Sequence, residues 1–417
     1  MTDRQARIAD LVDQNFAAET AFLRELVRLP TDTPPGDNAR AAQHTATLLE
    51  AMGYQVEQHA VPDAEVKAAG LTSLVNLIVR RRFGAGPIIA LAAHGDVVPP
   101  GDGWSKPPYA GHIEDGRMFG RGVAVSKSDF ATYAFALRAL EAVGAPLRGS
   151  VELHFTYDEE YGGLLGPGYL LRHGLSQPDM AIAAGFSYTV VTAHNGCLQL
   201  EASLHGRAAH AAMPESGSDA LAAAVDVLNA LYAEGRGYAA VRSGFAGIAT
   251  PTLNVGMIAG GINTNVVPDK VTLRLDRRII PEEAAEEVET RLAEVMRQAV
   301  RGKPGISLEI RRLLRAAALR PSPAQARLAA IVQRHASAVF AESIGLSASP
   351  LYTDARLYGE AGLPVVLYGA GPRTLLAANA KRADENILLA DLRRATIVIA
   401  RVLLDLLGAD SGRAIEA

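Results

Sequence analysis

The segment LAAHGDVVPPGDGW sets His94 and Asp96 two residues apart at the end of an apolar run. A carboxylate beside an imidazole orients the ring, an arrangement often found behind a metal ion. The same pair can also do no more than satisfy a histidine at a strand end. TYDEEYGG closes a second apolar run with Asp158, Glu159 and Glu160. Three adjacent carboxylates repel one another, and burying them requires a cation or protonation. One of them could bind a cation while another, its pKa raised by its surroundings, acts as a general base. Left in water they would be an ordinary acidic turn, but the Gly162-Gly163 pair that follows points to tight packing. GRGVAVSKSDF offers Ser126 and Lys127, the residue types of a nucleophile and its base. Neighbours in sequence usually point to different sides, which argues against that pairing. In GAGPR, Gly369 begins a turn whose amides suit a carboxylate, or else a plain Gly-Pro loop. Cys197 stands in no motif and reads as a small buried hydrophobe.

The elements that must position these groups follow from periodicity. Residues 6–28 and 38–53 have helical apolar spacing, 73–82 and 87–98 are strand-like, and a helix is expected over about 128–144. A strand over 151–160 leads into the acidic turn. Alternating strands and helices predict an α/β domain with a mostly parallel sheet, whose C-terminal strand ends are where ligands bind. From Gly196 the texture changes to two helices and about four strands, a smaller α+β insertion over 197–312. The α/β pattern then resumes over 313–417, so the first domain, 1–196, is interrupted by the second. A chain of 417 residues is long enough for two cores. A net charge of −4 provides no basic field for nucleic acid or a membrane surface. The polar N-terminus lacks the apolar stretch of a signal peptide, and one cysteine fits a reducing cytoplasm.

HGDVVPPGDGW, DGRMFGRG, DEEYGG, GRAAHAAMPESGSDA, NVVPD, DRRIIP, YTDAR and NAKRADEN follow one another between residues 94 and 386, within a match that runs from about residue 20 to 405. In that order they resemble the dizinc family of acetylornithine deacetylase, succinyl-diaminopimelate desuccinylase, aminoacylase and related carboxypeptidases. The resemblance implies a zinc-exopeptidase type of catalytic domain interrupted by a dimerisation domain, and hence a homodimer. It makes His94 a first metal ligand, Asp96 its orienting acid, Glu159 the general base and Glu160 a ligand to a second metal. His210 matches a histidine that reaches across the dimer to polarise the scissile carbonyl, while Asn265 and Arg278 match residues holding a substrate carboxylate. Asp354 and Arg356 fall where the pocket wall is supported. Three positions depart from the family pattern: Val125 replaces the bridging aspartate, Phe186 an acidic ligand and Lys381 the last ligand histidine.

A zinc ion wants about four N, O or S donors, and these departures leave His94 for one ion and Glu160 for the other. The expectation is therefore no cofactor, or at most one weakly held zinc, manganese or cobalt ion. Lys381, with Lys127 as a second charge, can replace the cation among Asp96, Glu159 and Glu160, or it can simply point to solvent. His112, His154, His194 and His205 lie outside the matching positions. Three functions stay open: hydrolysis of an amide or other C–N bond in a small carboxylate-bearing molecule, metal-free isomerase or lyase chemistry by Glu159 and Lys381, and carboxylate binding without turnover.

Overall fold

The computed structural model describes residues 3–408, which fall into two units. One comprises the residues up to Thr192, Pro321–Ser347 and the chain from Thr353 on; the other comprises Ala193–Arg320 with Ala348–Tyr352. The insertion thus runs past its expected end at 312, because strand Ser307–Ala316 stays paired with Gly196–His205 as far as Ala316 opposite Cys197.

In the first unit an eight-stranded sheet is parallel only at its centre. Ser150–Thr156, Ile88–His94, Met180–Ala183 and Val365–Leu367 run side by side in one direction. Val56–Ala60 and Val75–Arg82 add an antiparallel flank on one side, and Thr189–His194 pairs antiparallel on the other. The central strands are buried almost throughout, as a sheet covered on both faces requires. Helices Asp3–Val27, Lys127–Ala142 and Leu389–Leu407 pack against one another and share the main core with Leu91, Phe130, Phe155 and Val398. Helix Pro323–Phe340 opens with a complete capping box between Ser322 and Gln325. Among the described residues no helix is long and apolar enough to cross a membrane.

The second unit is a four-stranded antiparallel sheet in the order Thr252–Gly260, Lys270–Ile279, Gly196–His205, Ser307–Ala316. Strict alternation along Gly196–His205 buries Leu198, Leu200, Ala202 and Leu204 under helices Ala220–Gly237 and Ala285–Val300. The opposite face carries Gln199, Glu201 and Ser203, which bond to Asp276, Arg274 and Thr272 of the neighbouring strand.

Glu19 is fully buried in the first helix, where Thr396 donates to it and one carboxyl oxygen has no partner. Burial, partly offset by that hydrogen bond, pushes its pKa to about 8. The folded state therefore keeps a proton that the unfolded chain releases above the ordinary carboxylate range. Stability conferred below that range is lost as pH rises towards 8, on the order of 1.4 kcal/mol per pH unit. Glu19→Gln should remove this slope, so that its melting temperature falls less than that of the wild type between about pH 5 and about pH 8. Equal slopes in thermal melts would show that Glu19 does not titrate there.

Candidate active site

The site begins with a register. His94 lies opposite Thr156 on parallel strands, so the turns that leave both strands emerge together at the C-terminal edge. Between them Gly95 donates its amide to the Thr156 carbonyl, and a Cβ at Gly95 would come within 2.5 Å of the Tyr157 ring. Only glycine allows the two turns so close an approach.

Asp96 joins them chemically. Its carboxylate accepts the Glu159 amide at 3.2 Å and the Glu160 amide at 2.9 Å, fixing the short 3-10 turn Glu159–Tyr161. The same carboxylate and the Asp96 carbonyl lie 3.2 and 3.1 Å from His94 Nδ1. That holds the other ring nitrogen towards Glu159, with Nε2 3.8 Å from Oε2. Burial lowers the imidazole's affinity for its proton, but the Glu159 charge and then the Asp96 hydrogen bond prevail and raise the His94 pKa to about 10. Burial raises Glu159 to about 7 against the pull of His94. Asp158 also rises to about 7, through burial and then Asp96, while its Oδ2 accepts the Leu165 amide. Asp354 is pushed well up by burial and by Glu159 and Asp158, and it crowds Gly163, where a Cβ would lie 1.9 Å from its Oδ1.

Lys381 comes to this cluster from a distant part of the chain. Its Nζ lies 2.6 Å from Glu160 Oε2, the lysine side chain half-exposed and the glutamate nearly buried. Burial disfavours the ammonium, but the Glu160 and Glu159 charges outweigh that and raise its pKa. The loop delivering it holds Asn379, Lys381 and Asp384 at positive φ of 49°, 60° and 56°. Such conformations in non-glycine residues persist only where the surroundings impose them.

Part of that imposition is a buried ion pair the sequence reading did not assign. Arg121 and Glu385 meet at 2.6 Å with both side chains at most 2% exposed. Glu385 also accepts the Ala124 amide, and Arg121 donates to the Pro100 carbonyl and lies 5.2 Å from the Trp104 ring centre. One clasp thus ties together the loops carrying His94, Val125 and Lys381. Both partners sit inside quoted motifs, GRG and ADEN, yet 264 residues separate them.

The other expected groups separate cleanly. Val125 is half-buried and packs against the apolar core, and Phe186 is half-buried with its backbone bridged to Gly371. Ser126 exchanges hydrogen bonds with the backbone of His94, whereas Lys127 turns away to the Leu26 and Leu29 carbonyls at 3.1 and 2.9 Å. Lys127 therefore adds no second ammonium to the acidic cluster, because its charge is spent on the end of the first helix. Gly369 faces a buried carboxyl, whose pKa burial raises to about 7: a Cβ there would meet Asp129 Oδ1 at 2.0 Å, and that oxygen accepts the Ala370 amide at 2.7 Å. Asp129 escaped the sequence reading because an acid in the first turn of a helix is ordinary there. Arg356 donates to the Gly162 carbonyl at 2.6 Å, steadying the turn that follows Glu160. His154 is buried between Glu152 and Tyr358, and His112 is exposed on a short strand. Among the described residues, no three His, Cys, Asp or Glu side chains are grouped so that they could hold a metal ion.

His210, Asn265 and Arg278 belong to the second unit. Ala211 donates to the Asn265 carbonyl, and His210 bridges Val266, which brings the first two residues together. His210 is exposed, and its Nδ1 accepts the Ala212 amide at 3.1 Å. In the neutral ring this leaves the proton on Nε2, a donor. Arg278 Nε is held by Asp276 at 2.8 Å, with the guanidinium 5.5 Å from the Tyr352 ring centre. Cys197 is buried in the same unit, its Sγ 3.3 Å from Asp276.

The sequence pattern of Peptidase family M20/M25/M40 matches residues 90–405, and the chain belongs to this family. It is 29% identical to a succinyl-diaminopimelate desuccinylase of Rhodospirillum rubrum, over 93% of this chain and 98% of that one. The fold is similar to an M20 family metallo-carboxypeptidase from Sulfolobus solfataricus, with a TM-score of 0.76, 19% identity and 92% and 98% of the two chains covered. Human carnosine dipeptidase 1 is similar at a TM-score of 0.73 and 16% identity, over 96% and 99% of the chains.

Breaking the clasp should be expensive. Glu385→Gln leaves the Arg121 charge buried and unpaired, and urea unfolding should show a loss of about 3–5 kcal/mol. The single tryptophan, Trp104, lies beside Arg121, so its fluorescence reports the site directly. Arg121→Met combined with Glu385→Leu should recover most of the stability. A Glu385→Gln protein as stable as the wild type would mean the pair holds nothing together.

Proposed function

We propose that this hydrolase of the M20/M25/M40 family cleaves an amide or other C–N bond of a small, carboxylate-bearing molecule, with the Lys381 ammonium standing where a metal ion would. The observation that carries the reading is the 2.6 Å contact between Lys381 and Glu160, made by a cation at a position the family resemblance gives to a ligand histidine. The donor set suits a dizinc centre poorly. Glu160 is already paired with an ammonium, and Val125 and Phe186 bring carbon where oxygen ligands are expected.

In this reading Glu159 takes a proton from water as its oxygen attacks the carbonyl carbon, its raised pKa near 7 suiting it to give and take that proton. The negative charge forming on the carbonyl oxygen is met by the Lys381 ammonium and the His94 imidazolium. The C–N bond then breaks as Glu159 returns the proton to the leaving nitrogen, yielding a carboxylic acid and an amine. By the family resemblance, Arg278 and Asn265 are the proposed carboxylate holders, and the partner subunit's His210, reaching across a dimer, the proposed donor to the carbonyl.

A homodimer through the second unit belongs to the same reading. Strand Thr252–Gly260 is an edge of its sheet and exposes Met257 and Ile258, while helix Ala220–Gly237 exposes Leu221, Val225 and Tyr232 along one side. Unpaired edges and apolar stripes of this kind are natural contact surfaces. Ile258→Arg should convert a dimer into a monomer in light scattering; a wild type that is already monomeric would end this part of the reading.

The central test combines metal content with turnover. After soaking in zinc or manganese and removal of excess, elemental analysis should find far less than one ion per chain. Amine release from a panel of N-acyl amino acids should survive a chelator, and should fall about 100-fold or more in Glu159→Gln and in Lys381→Met. Val125→Asp, Phe186→Glu and Lys381→His together should gain near-stoichiometric zinc. Tight metal in the wild type, or activity lost to chelator and restored by zinc, would overturn the lysine reading. Binding without turnover that is insensitive to Glu159→Gln would mark a non-catalytic carboxylate binder, and conversion without amine release would mark isomerase or lyase chemistry.

A further inference from the structure

The edge of the first unit's sheet opposite His94 holds a second concavity. Gly86 and Pro87 lead into strand Ile88–His94, Asp179 into Met180–Ala183 and Pro364 into Val365–Leu367, so the starts of three parallel neighbours line up there. The beginning of helix Pro323–Phe340 and the end of helix Leu389–Leu407 flank it, leaving an open hollow of about 500 Å³ whose rim residues Asp179 and Arg327 are exposed. That volume lies within the range of small-molecule sites. A full strand of seven residues, about 20 Å, separates it from the acidic cluster.

Its lining is apolar with one charge of each sign. Pro87, Met180, Leu328, Pro364 and Leu406 supply the apolar surface, and Arg327 and Asp179 the charges. Asp179 is anchored, since it accepts the Ile88 amide at 2.7 Å. Neither Arg327 nor Asp179 forms an ion pair with any described residue, and no ion pair joins them to each other. A guanidinium and a carboxylate, neither of them ion-paired among the described residues, at the rim of an apolar hollow complement a ligand carrying both charges next to an apolar group.

We propose that this concavity is a second binding site, separate from the strand-end cluster, for a small apolar α-amino acid. Arg327 receives the carboxylate, Asp179 the ammonium, and the side chain rests against Met180, Leu328 and Leu406. Peptide or acyl-amino-acid hydrolysis releases molecules of this class, so a site for them distant from the reacting bond would let the product pool be sensed. Occupancy itself does not depend on which chemistry the acidic cluster performs, so failure here and failure of the catalytic reading are separate outcomes.

The probe is L-leucine, titrated into the full-length chain and followed by calorimetry or ligand-observed NMR. Saturable binding with a Kd of about 1 mM or tighter is expected. Arg327→Glu, an exposed position whose replacement leaves the core intact, should weaken it about tenfold, and Glu159→Gln should leave it unchanged. 4-Methylpentanoate, which keeps the apolar chain and the carboxylate but lacks the ammonium and any C–N bond to cleave, should bind the wild type about tenfold more weakly, and Asp179→Asn should erase that preference. No saturation by about 10 mM leucine would overturn the proposal. So would equal binding by Arg327→Glu, which would put leucine elsewhere on the chain. Equal binding of 4-methylpentanoate and leucine by the wild type would overturn the amino-acid class, since the site would then read a carboxylate alone.

Discussion

Five carboxylates, from Asp96, Asp158, Glu159, Glu160 and Asp354, share one strand edge, and like charges in a dry site cannot all stay ionised without counter-charge. Every other feature of the pocket answers that constraint. Asp96 spends its charge on two backbone amides and an imidazole, Glu160 on the Lys381 ammonium, and His94 keeps its proton well above the usual imidazole range. What remains falls on Asp158, Glu159 and Asp354, whose pKa values all rise. A carboxyl that holds its proton near neutrality is therefore a consequence first of burial and then of crowding, and needs no special device around Glu159.

Holding such a cluster requires rigid surroundings, and these come from pairs that sit behind it. The Arg121–Glu385 clasp fixes three loops at once, and Arg356 fixes the turn after Glu160 through a single carbonyl. Asp129 does the same for the Gly369–Ala370 turn from inside. Lys127 does it for the end of the first helix. These charged groups act on backbone rather than on a ligand, which explains why a segment so rich in polar side chains can be almost wholly buried. Only Lys381 among the lysines near this edge is free to face the carboxylates.

Much of this was legible in the residues themselves. The apolar runs ending in His94 and before Asp158 announced two buried strands and the edge on which their chemistry would stand, and both strands end there. The change of texture near Gly196 lies close to the start of the second unit at Ala193, while that unit runs on to Arg320 because strand Ser307–Ala316 stays paired past residue 312. The sheet's antiparallel flanks were not legible, because a strand's direction is set by the path of its connections and leaves no mark in its own residues.

The amino-acid sequence by itself determined the types of the elements and the identity of the acidic and imidazole groups, together with a family resemblance in which Val125, Phe186 and Lys381 stand where ligands are implied. These are properties of short windows, where hydrophobic period and side-chain chemistry are written directly. Only the tertiary structure decided that Lys381 meets Glu160 across 221 residues while Lys127, two residues from Val125, points the other way. It also decided that Asp129 occupies the turn of Gly369. The physical reason is that an ion pair is a matter of ångströms in space, and the packing that sets those ångströms sums contacts from the whole core, which no local window contains.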